Sequence, residues 1–386
     1  MASTPFRIDI PEPVLDDLRH RLRSARLPKG RSGQQPWAAG TDPAYLAEVV
    51  AHWADGFDWA ERQRELNALP HFLTEVDGTV LHYLHVRGVR AEGAPAPLPL
   101  ILNHGWPSSF VEMLSLVPLL TDPAAHGGDA ADAFDVVIPS LPGFLWSQLP
   151  AGPLTRGAMA ELFHRLMTEE LGYRRYGVFG GDIGGSVGYW MAARHPEQVV
   201  GAHLIHPPVP HGAHGADLSE AEQAFLAWEE EYDEGDDGYS SIQATRPDTL
   251  AAALLDSPAG LAAWLLDKYR DWTDCSGDLE KSIDRDVLLT VLTLYWATAS
   301  IDTSFRSYYD YGHNEPRPPL TVPAGFTISR EPVMRDFPRE LSERCCADIR
   351  HWHEAERGGH FLPLEEPRLM ARELRTFFGP LRATAV

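Results

Sequence analysis

The chain has 386 residues, of which 44% are hydrophobic and 23% charged, a composition typical of a globular protein with room for inserted segments. Its 33 lysines and arginines against 55 aspartates and glutamates give a formal net charge of −22, which argues against binding to nucleic acid or to an anionic membrane surface. A small uncharged molecule is the ligand that this charge favours.

The cysteines and the N-terminal segment indicate a reducing compartment. The chain has three cysteines, Cys275, Cys345 and Cys346. Their number is odd, their spacing is not that of a metal site, and they do not suggest a disulfide framework. The segment up to Pro28 has charges every few residues and no apolar signal region, and no later run approaches the ~20 apolar residues of a membrane span. We therefore expect a soluble, unprocessed protein of the cytoplasm.

In chain order, predicted helices come before predicted strands. Proline starts and apolar residues at helical spacing predict an all-helical N-terminal region, which we place at residues 1–74. Strands that alternate with helices follow, and several of them are continuously apolar, which is typical of a parallel sheet covered on both faces. The β-like runs lie at 79–86, 99–103, 135–140, 176–181 and 199–206, and the helical stretches between them at 155–170 and 184–194.

The alternation breaks at residues 207–319, which we predict to be a helical cap inserted into the sheet domain. This segment contains an acidic run, EEEYDEGDDG, and helical patterns such as SPAGLAAWLLDKYRDW. Two β-like runs, at 324–329 and 348–355, and a closing helical pattern follow the cap. The sequence therefore predicts a doubly wound α/β core formed by residues 75–206 and 320–386.

Asp182 lies in YGVFGGDIGGSVGYWMAARHP, a pattern of strand, glycine turn and helix. Such a turn is the setting of a nucleophile elbow, in which small residues two before and two after the nucleophile, here Gly180 and Gly184, permit a tight backbone. A carboxylate needs no base to activate it, attacks carbon electrophiles and becomes an ester. On these residues alone, an N-cap of the following helix explains Asp182 equally well.

Two further loops follow predicted strands and carry the groups that such a nucleophile requires. The HGWP turn offers the backbone N–H of Trp106, and the residue after the nucleophile offers that of Ile183, as an oxyanion hole. His360, after the last predicted strand, is placed as the general base, with Glu331 as its acid partner and Asp336 as the alternative acid. An ordinary turn and a structural histidine, one of 17, are the competing explanations.

All three loops indicate the same type of site. Each lies at the carboxyl end of a predicted strand, and the chain order of nucleophile, acid and histidine is that of the α/β-hydrolase fold. Chance agreement of all three is the weaker explanation. The sequence therefore predicts an α/β-hydrolase fold, with a mostly parallel doubly wound sheet, a helical cap and an N-terminal helical extension.

Nearly the whole chain resembles the microsomal-type epoxide hydrolases, which carry an N-terminal epoxide-hydrolase region ahead of the α/β-hydrolase domain. The similar segments include PFRIDIPEPVLDDLRHRL, HGWPSSFVEM, GGDIGGSVGYWMA, IQATRPDTLAAALLDSPAGLAAWLLDKYRDW and ERGGHFLPLEEP. The resemblance implies that the N-terminal region packs on the cap and that two cap tyrosines donate hydrogen bonds to an epoxide oxygen. The matching positions are Tyr239 and Tyr308, with Tyr309 as the alternative to Tyr308.

The resemblance implies an enzyme that converts an epoxide and water to a vicinal diol through an ester on Asp182, without a metal or organic cofactor. The tryptophans and leucines of the cap suggest a bulky apolar or aromatic epoxide, and the composition suggests a bacterial source, with a role in natural-product biosynthesis or detoxification. Two other functions fit in part: a haloalkane dehalogenase, although Ile183 stands where many have a halide-binding tryptophan, and a non-catalytic ligand-binding protein of the same fold. The sequence leaves a homodimer open.

Overall fold

A nine-stranded sheet forms the centre of the protein in the computed structural model, which describes residues 3–90, 93, 96–210, 212 and 217–384. The strands are β1 (Thr4–Phe6), β2 (His71–Val76), β3 (Thr79–Val86), β4 (Leu98–Asn103), β5 (Phe134–Pro139), β6 (Tyr176–Gly180), β7 (Val199–Leu204), β8 (Ala324–Ile328) and β9 (Ile349–Glu354). Their order in the sheet is β1-β2-β3-β5-β4-β6-β7-β8-β9. The six strands β4 to β9 are parallel to one another, and β1 to β3 extend one edge of the sheet in antiparallel orientation. The prediction of a mostly parallel sheet is confirmed.

Helices cover both faces of this sheet. Gly188, in the helix after β6, lies against Val178, whereas the neighbouring Gly177 lies against Phe378 of the C-terminal helix. Because successive residues of a strand point to opposite faces, these two helices pack on opposite sides. The helices are α1 (Glu12–Arg23), α2 (Pro43–Asp55), α3 (Trp59–Leu66), α4 (Leu116–Thr121), α5 (Arg156–Arg165), α6 (Asp182–Arg194), α7 (Glu220–Asp236), α8 (Gly238–Thr245), α9 (Pro247–Asp256), α10 (Pro258–Trp272), α11 (Arg285–Thr298), α12 (Ile301–Ser304), α13 (Arg306–Tyr309), α14 (Arg339–Glu343), α15 (Leu362–Glu365) and α16 (Pro367–Phe378).

The N-terminal region is not wholly helical, and the prediction was wrong on this point. Residues Thr4–Phe6 form β1, which pairs antiparallel with β2, and the predicted boundary at residue 74 falls inside β2. A three-residue strand is too short to show a periodic pattern. The β2–β3 hairpin did carry a signal, because Asp77 and Gly78 form its turn with φ values of 51° and 73°, and Asp-Gly is a favoured hairpin turn.

The N-terminal helices pack on the cap, which is helical from α7 to α13. The indole N–H of Trp53 in α2 donates a 2.9 Å hydrogen bond to Thr293 of α11, and Arg21 of α1 forms a 2.8 Å ion pair with Asp256 of α9. Within the part of the chain that the structure describes, no single helix is both long and apolar enough to cross a membrane. Two sharply bent pairs, α9 with α10 and α11 with Ile301–Tyr309, reach that length and composition only together.

Candidate active site

Asp182 opens α6 directly after β6, in a turn that only small neighbours permit. A Cβ on Gly180 would overlap the backbone of Gly184, and one on Gly184 would overlap the carbonyl oxygens of Asn103 and His104. Asp182 itself has a φ of 51°, in the left-handed region that residues other than glycine rarely adopt. Strain of this kind, held in place by packing, is typical of functional turns.

The carboxylate of Asp182 faces a cavity of about 1060 Å³. The N-cap of α6 is Gly181, so Asp182 is not the helix cap that the sequence left as an alternative. Its Oδ1 accepts a 2.9 Å hydrogen bond from the backbone N–H of Trp106, and its Oδ2 lies 4.0 Å from Nε2 of His360. Ile183 also lines the cavity. Of the two predicted oxyanion-hole donors, the N–H of Trp106 is the one that donates a hydrogen bond to the Asp182 carboxylate in the structure.

The loop that carries Trp106 is held by His104. The Nε2 atom of His104 accepts a 3.1 Å hydrogen bond from the N–H of Leu141, and Nδ1 faces the carbonyl oxygen of Gly105 at 3.0 Å. One nitrogen that accepts and one that donates define a neutral ring, and burial lowers the pKa of His104 to about 4. A Cβ on Gly105 would overlap the Asp182 side chain, so glycine at this position permits the close approach.

Two histidines and a glutamate form a hydrogen-bonded cluster beside the aspartate. Oε1 of Glu331 lies 2.9 Å from Nδ1 of His360, and Oε2 lies 2.9 Å from Nε2 of His206. The Nδ1 atom of His206 accepts a 2.9 Å hydrogen bond from the backbone N–H of Asp182. Ligand atoms of the three cluster residues lie within 4.8 Å of one another, as metal ligands do, but each Glu331 oxygen is already hydrogen-bonded to an imidazole nitrogen. The cluster therefore fits an acid–base pair with an additional histidine.

His360 and Glu331 shift each other's pKa values. Burial by itself would lower the pKa of His360, but the charge and hydrogen bond of Glu331, followed by the charge of Asp182, outweigh it and raise this pKa to about 9. Burial by itself would raise the pKa of Glu331, but attraction to His360 and hydrogen bonds from both histidines hold it well below its usual range. In the resting site, His360 and Glu331 form an imidazolium–carboxylate pair.

The exposure of the side chains decides between the alternative site residues that the sequence left open. The side chain of Asp336 is 93% exposed, and its nearest cation is Arg335 at 3.9 Å, whereas Glu331 is buried against His360. Tyr309 is 51% exposed, whereas Tyr308 lines the cavity. The structure therefore places Glu331 and Tyr308 in the candidate site.

Tyr239 and Tyr308 bring their rings together on the cap side of the cavity. The ring of Tyr239 stacks on the indole of Trp106 at 5.4 Å, and the ring of Tyr308 lies nearly perpendicular to that of Tyr239 at 6.0 Å. Burial is the main cause that raises the pKa of both phenols above that of free tyrosine. Both phenols therefore keep their protons at neutral pH and can donate hydrogen bonds into the cavity.

Two residues of the site, His206 and Trp272, were not predicted from the sequence. His206 follows β7 in AHLIHPPVP, at the same edge of the sheet as the loops that were identified, so its position was the available signal. Trp272 ends α10 in the cap, where its carbonyl oxygen accepts a 2.8 Å hydrogen bond from the N–H of His360 and its ring lies 4.8 Å from the His360 ring. No local pattern in the sequence indicates that cap contact.

Comparisons with known proteins identify the family. Residues 3–113 match the family model "Epoxide hydrolase N terminus", and residues 99–245 match "alpha/beta hydrolase fold". A protein of Stigmatella aurantiaca that is provisionally named an epoxide hydrolase is 39% identical, over 98% of this chain and 86% of its own. Epoxide hydrolase 1 of Oryctolagus cuniculus is 32% identical, over 97% of this chain and 88% of its own. The crystal structure of juvenile hormone epoxide hydrolase from Bombyx mori superposes with a TM-score of 0.90 at 28% identity, covering 100% of this chain and 96% of that one. The chain therefore belongs to the epoxide hydrolases, in the microsomal-type family with an N-terminal region ahead of an α/β-hydrolase domain.

Proposed function

We propose that the protein converts a bulky, uncharged epoxide with an apolar or aromatic substituent to a vicinal diol, through a covalent ester on Asp182. The observation that carries this proposal is the arrangement around one carboxylate. Oδ1 of Asp182 accepts the N–H of Trp106, Oδ2 lies 4.0 Å from His360, and the phenols of Tyr239 and Tyr308 line the same cavity. Nucleophile, base and proton donors are thus within reach of one bound molecule.

In the first step, Oδ2 of Asp182 forms a bond to an epoxide carbon, and the bond between that carbon and the epoxide oxygen breaks. The electron pair of the broken bond goes to the oxygen, which is a poor leaving group unless a donor protonates it. The phenol of Tyr239 or Tyr308 supplies that proton and regains one from the solvent. Oδ1, held by the N–H of Trp106, becomes the carbonyl oxygen of the ester.

In the second step, His360 first releases its proton to the solvent, because the ester no longer carries the charge of Asp182. It then takes a proton from water, and the water oxygen bonds to the ester carbonyl carbon. The oxyanion forms at Oδ1, where the N–H of Trp106 and, in our proposal, that of Ile183 stabilise it. Collapse breaks the bond between the carbonyl carbon and the substrate-derived ester oxygen, which leaves with the proton held by His360. The carboxyl group of Asp182 then passes its proton to His360, which restores the ionised aspartate and the protonated histidine of the resting site.

The cavity wall supports the substrate class. Aromatic side chains, among them Trp190, Tyr232 and Trp272, provide apolar surface for a bulky group. Carboxylates of α7, including Glu229 and Asp233, also line the cavity, and burial raises the pKa of Glu229 to about 6. Arg156 and Arg317 line the cavity as well, so the charge argument rests on the whole chain, whose net charge of −22 disfavours the approach of an anionic epoxide.

The covalent step is tested by following oxygen in a single turnover. Enzyme in excess over styrene oxide, in water enriched in heavy oxygen, should release a first diol with unlabelled oxygen from Asp182. Solvent label in that first diol would refute the ester mechanism. The His360→Ala variant should accumulate an adduct with the mass of enzyme plus epoxide, whereas the Asp182→Ala variant should form none. Halide release from a chloroalkane, without diol from any epoxide, would instead indicate a dehalogenase.

A further inference from the structure

His206 lies between the nucleophile and its acid partner. It follows β7, and in the sheet β7 lies between β6, which leads into Asp182, and β8, which leads into Glu331. Parallel strands end at one edge of a sheet, so the side chain after β7 can reach both neighbours. The His206 ring lies 4.9 Å from that of His360, and its side chain is 19% exposed.

The two hydrogen bonds of His206 select one form of its ring. Nδ1 accepts the backbone N–H of Asp182 at 2.9 Å, so this nitrogen carries no proton. Nε2 faces Oε2 of Glu331 at 2.9 Å, and a carboxylate oxygen requires a donor, so this nitrogen carries the proton. The contacts therefore define a neutral imidazole with its proton on Nε2.

Each of these contacts holds a group that the reaction uses. The N–H of Asp182 is at the first turn of α6, where no intrahelical acceptor exists, and the φ of 51° makes the orientation of this residue strained. On the other side, His206 occupies one oxygen of Glu331 while His360 occupies the other. His206 thus connects the backbone of the nucleophile to the carboxylate that orients the base.

We infer that His206 is a positioning residue for both steps of the reaction, an inference that rests on the proposed ester mechanism. Through Nδ1 it fixes the turn that aims Asp182 at the epoxide. Through Nε2–H it fixes Glu331, and thereby the orientation of His360 towards the ester. His206 also lines the cavity, but both of its ring nitrogens are engaged by these neighbours, so in this scheme it acts through them.

Two substitutions separate the two contacts. His206→Asn places an amide oxygen near the position of Nδ1 and keeps the contact with Asp182 while losing that with Glu331. It should slow ester hydrolysis by about 10-fold, with little change in ester formation, so that the adduct accumulates. His206→Gln reaches the position of Nε2 and keeps the contact with Glu331, so it should slow ester formation instead. Rapid quenching of a styrene oxide reaction, followed by intact-protein mass, measures both rate constants.

A matched histidine–glutamate pair outside the cavity serves as the control. Nε2 of His351 in β9 lies 2.9 Å from Oε2 of Glu373, and the His351 side chain is 16% exposed. His351→Asn and His351→Gln should leave both rate constants within about twofold of wild type, whatever they do to the melting temperature. If His206→Asn and His206→Gln instead slow both steps by the same factor, or neither step, His206 has only a structural role and the inference is wrong.

A measurement without substrate keeps this inference separate from the proposed function. In ¹⁵N-histidine-labelled enzyme, His206 should show an unprotonated Nδ1 and a protonated Nε2, and His206→Asn should shift the Nδ1 signal of His360 while His351→Asn should not. A protonated Nδ1 on His206 in the resting enzyme would overturn the inference. Absence of any ester in wild type would refute the proposed mechanism and would leave these spectra unaffected.

Discussion

Replacing Glu331 with glutamine tests the charge at the centre of the site. Glutamine has nearly the same shape, but one end of its amide is a donor, and imidazole nitrogens lie 2.9 Å from both Glu331 oxygens. One of the two contacts therefore brings the glutamine amide N–H against an imidazole N–H, unless a histidine changes its tautomer. The variant also lacks the negative charge that raises the pKa of His360, so burial lowers that pKa.

The expected loss has two parts. A hydrogen bond to a charged group contributes about 1.5–3 kcal/mol, and a buried donor left without an acceptor costs about 1–3 kcal/mol more. Together they amount to about 2.5–6 kcal/mol, which slows a reaction by roughly 10²- to 10⁴-fold. Because His360 acts on the ester in the proposed mechanism, we expect the loss to fall on hydrolysis. Ester formation by Asp182, whose carboxylate is held by Trp106, should change by less than about 10-fold.

Rapid-quench mass measurement on Glu331→Gln should therefore show an ester that forms quickly and decays slowly. Asp336→Asn is the matched control, because this acid lies on the same loop with a side chain that is 93% exposed, and both rate constants should stay at wild-type values. The reasoning fails if Glu331→Gln slows ester formation as much as hydrolysis. It also fails if Asp336→Asn traps the ester and Glu331→Gln does not.

Further outcomes follow from the charges and donors of the cavity. Because the pKa of His360 is raised to about 9 in the folded protein, its pairing stabilises the fold fully below the ordinary imidazole pKa of about 6.5, and this stabilisation is lost as the pH rises through 9. The free energy of unfolding by urea should fall by on the order of 3 kcal/mol across that range, and His360→Gln should not show this fall. Tyr239→Phe and Tyr308→Phe should each slow ester formation by about 10- to 100-fold without slowing ester decay, as measured by rapid quench. Asp182→Asn should lower the pKa of His360, because it removes a charge that raises it; an unchanged histidine titration by NMR would contradict this. An epoxide that bears a carboxylate should have a higher KM than an uncharged one of equal size, and added salt should narrow the difference.

The parts of the site that the sequence predicted are those that follow strands. Asp182, Trp106 and His360 each lie within a few residues of the carboxyl end of a parallel strand, and strand patterns are visible as apolar runs. The topology then brings these ends to one edge, so chain position was enough to bring the residues together. Glu331 follows the same rule, and its burial distinguishes it from Asp336.

The parts that the sequence did not predict depend on contacts between distant segments. Tyr239 and Tyr308 lie on cap helices, where one tyrosine pattern resembles any other, and only the family resemblance singled them out. His206 obeys the strand rule but belongs to no expected triad position, so nothing in the pattern assigned it a partner. Trp272 reaches His360 from the cap, a contact fixed by tertiary packing and not by local sequence.

In the proposed mechanism, the charge of Asp182 orders the two steps. While the aspartate is ionised, it adds to Glu331 in keeping His360 protonated, and a protonated imidazole cannot take a proton from water. Ester formation removes that charge, so the pKa of His360 falls and the ring can release its proton. The alkoxide takes up one proton and His360 releases one, so the number of protons held by the enzyme and substrate together does not change. In this mechanism His360 therefore loses its proton more readily once there is an ester to hydrolyse, and the same hydrogen bond to Glu331 orients the ring in both states.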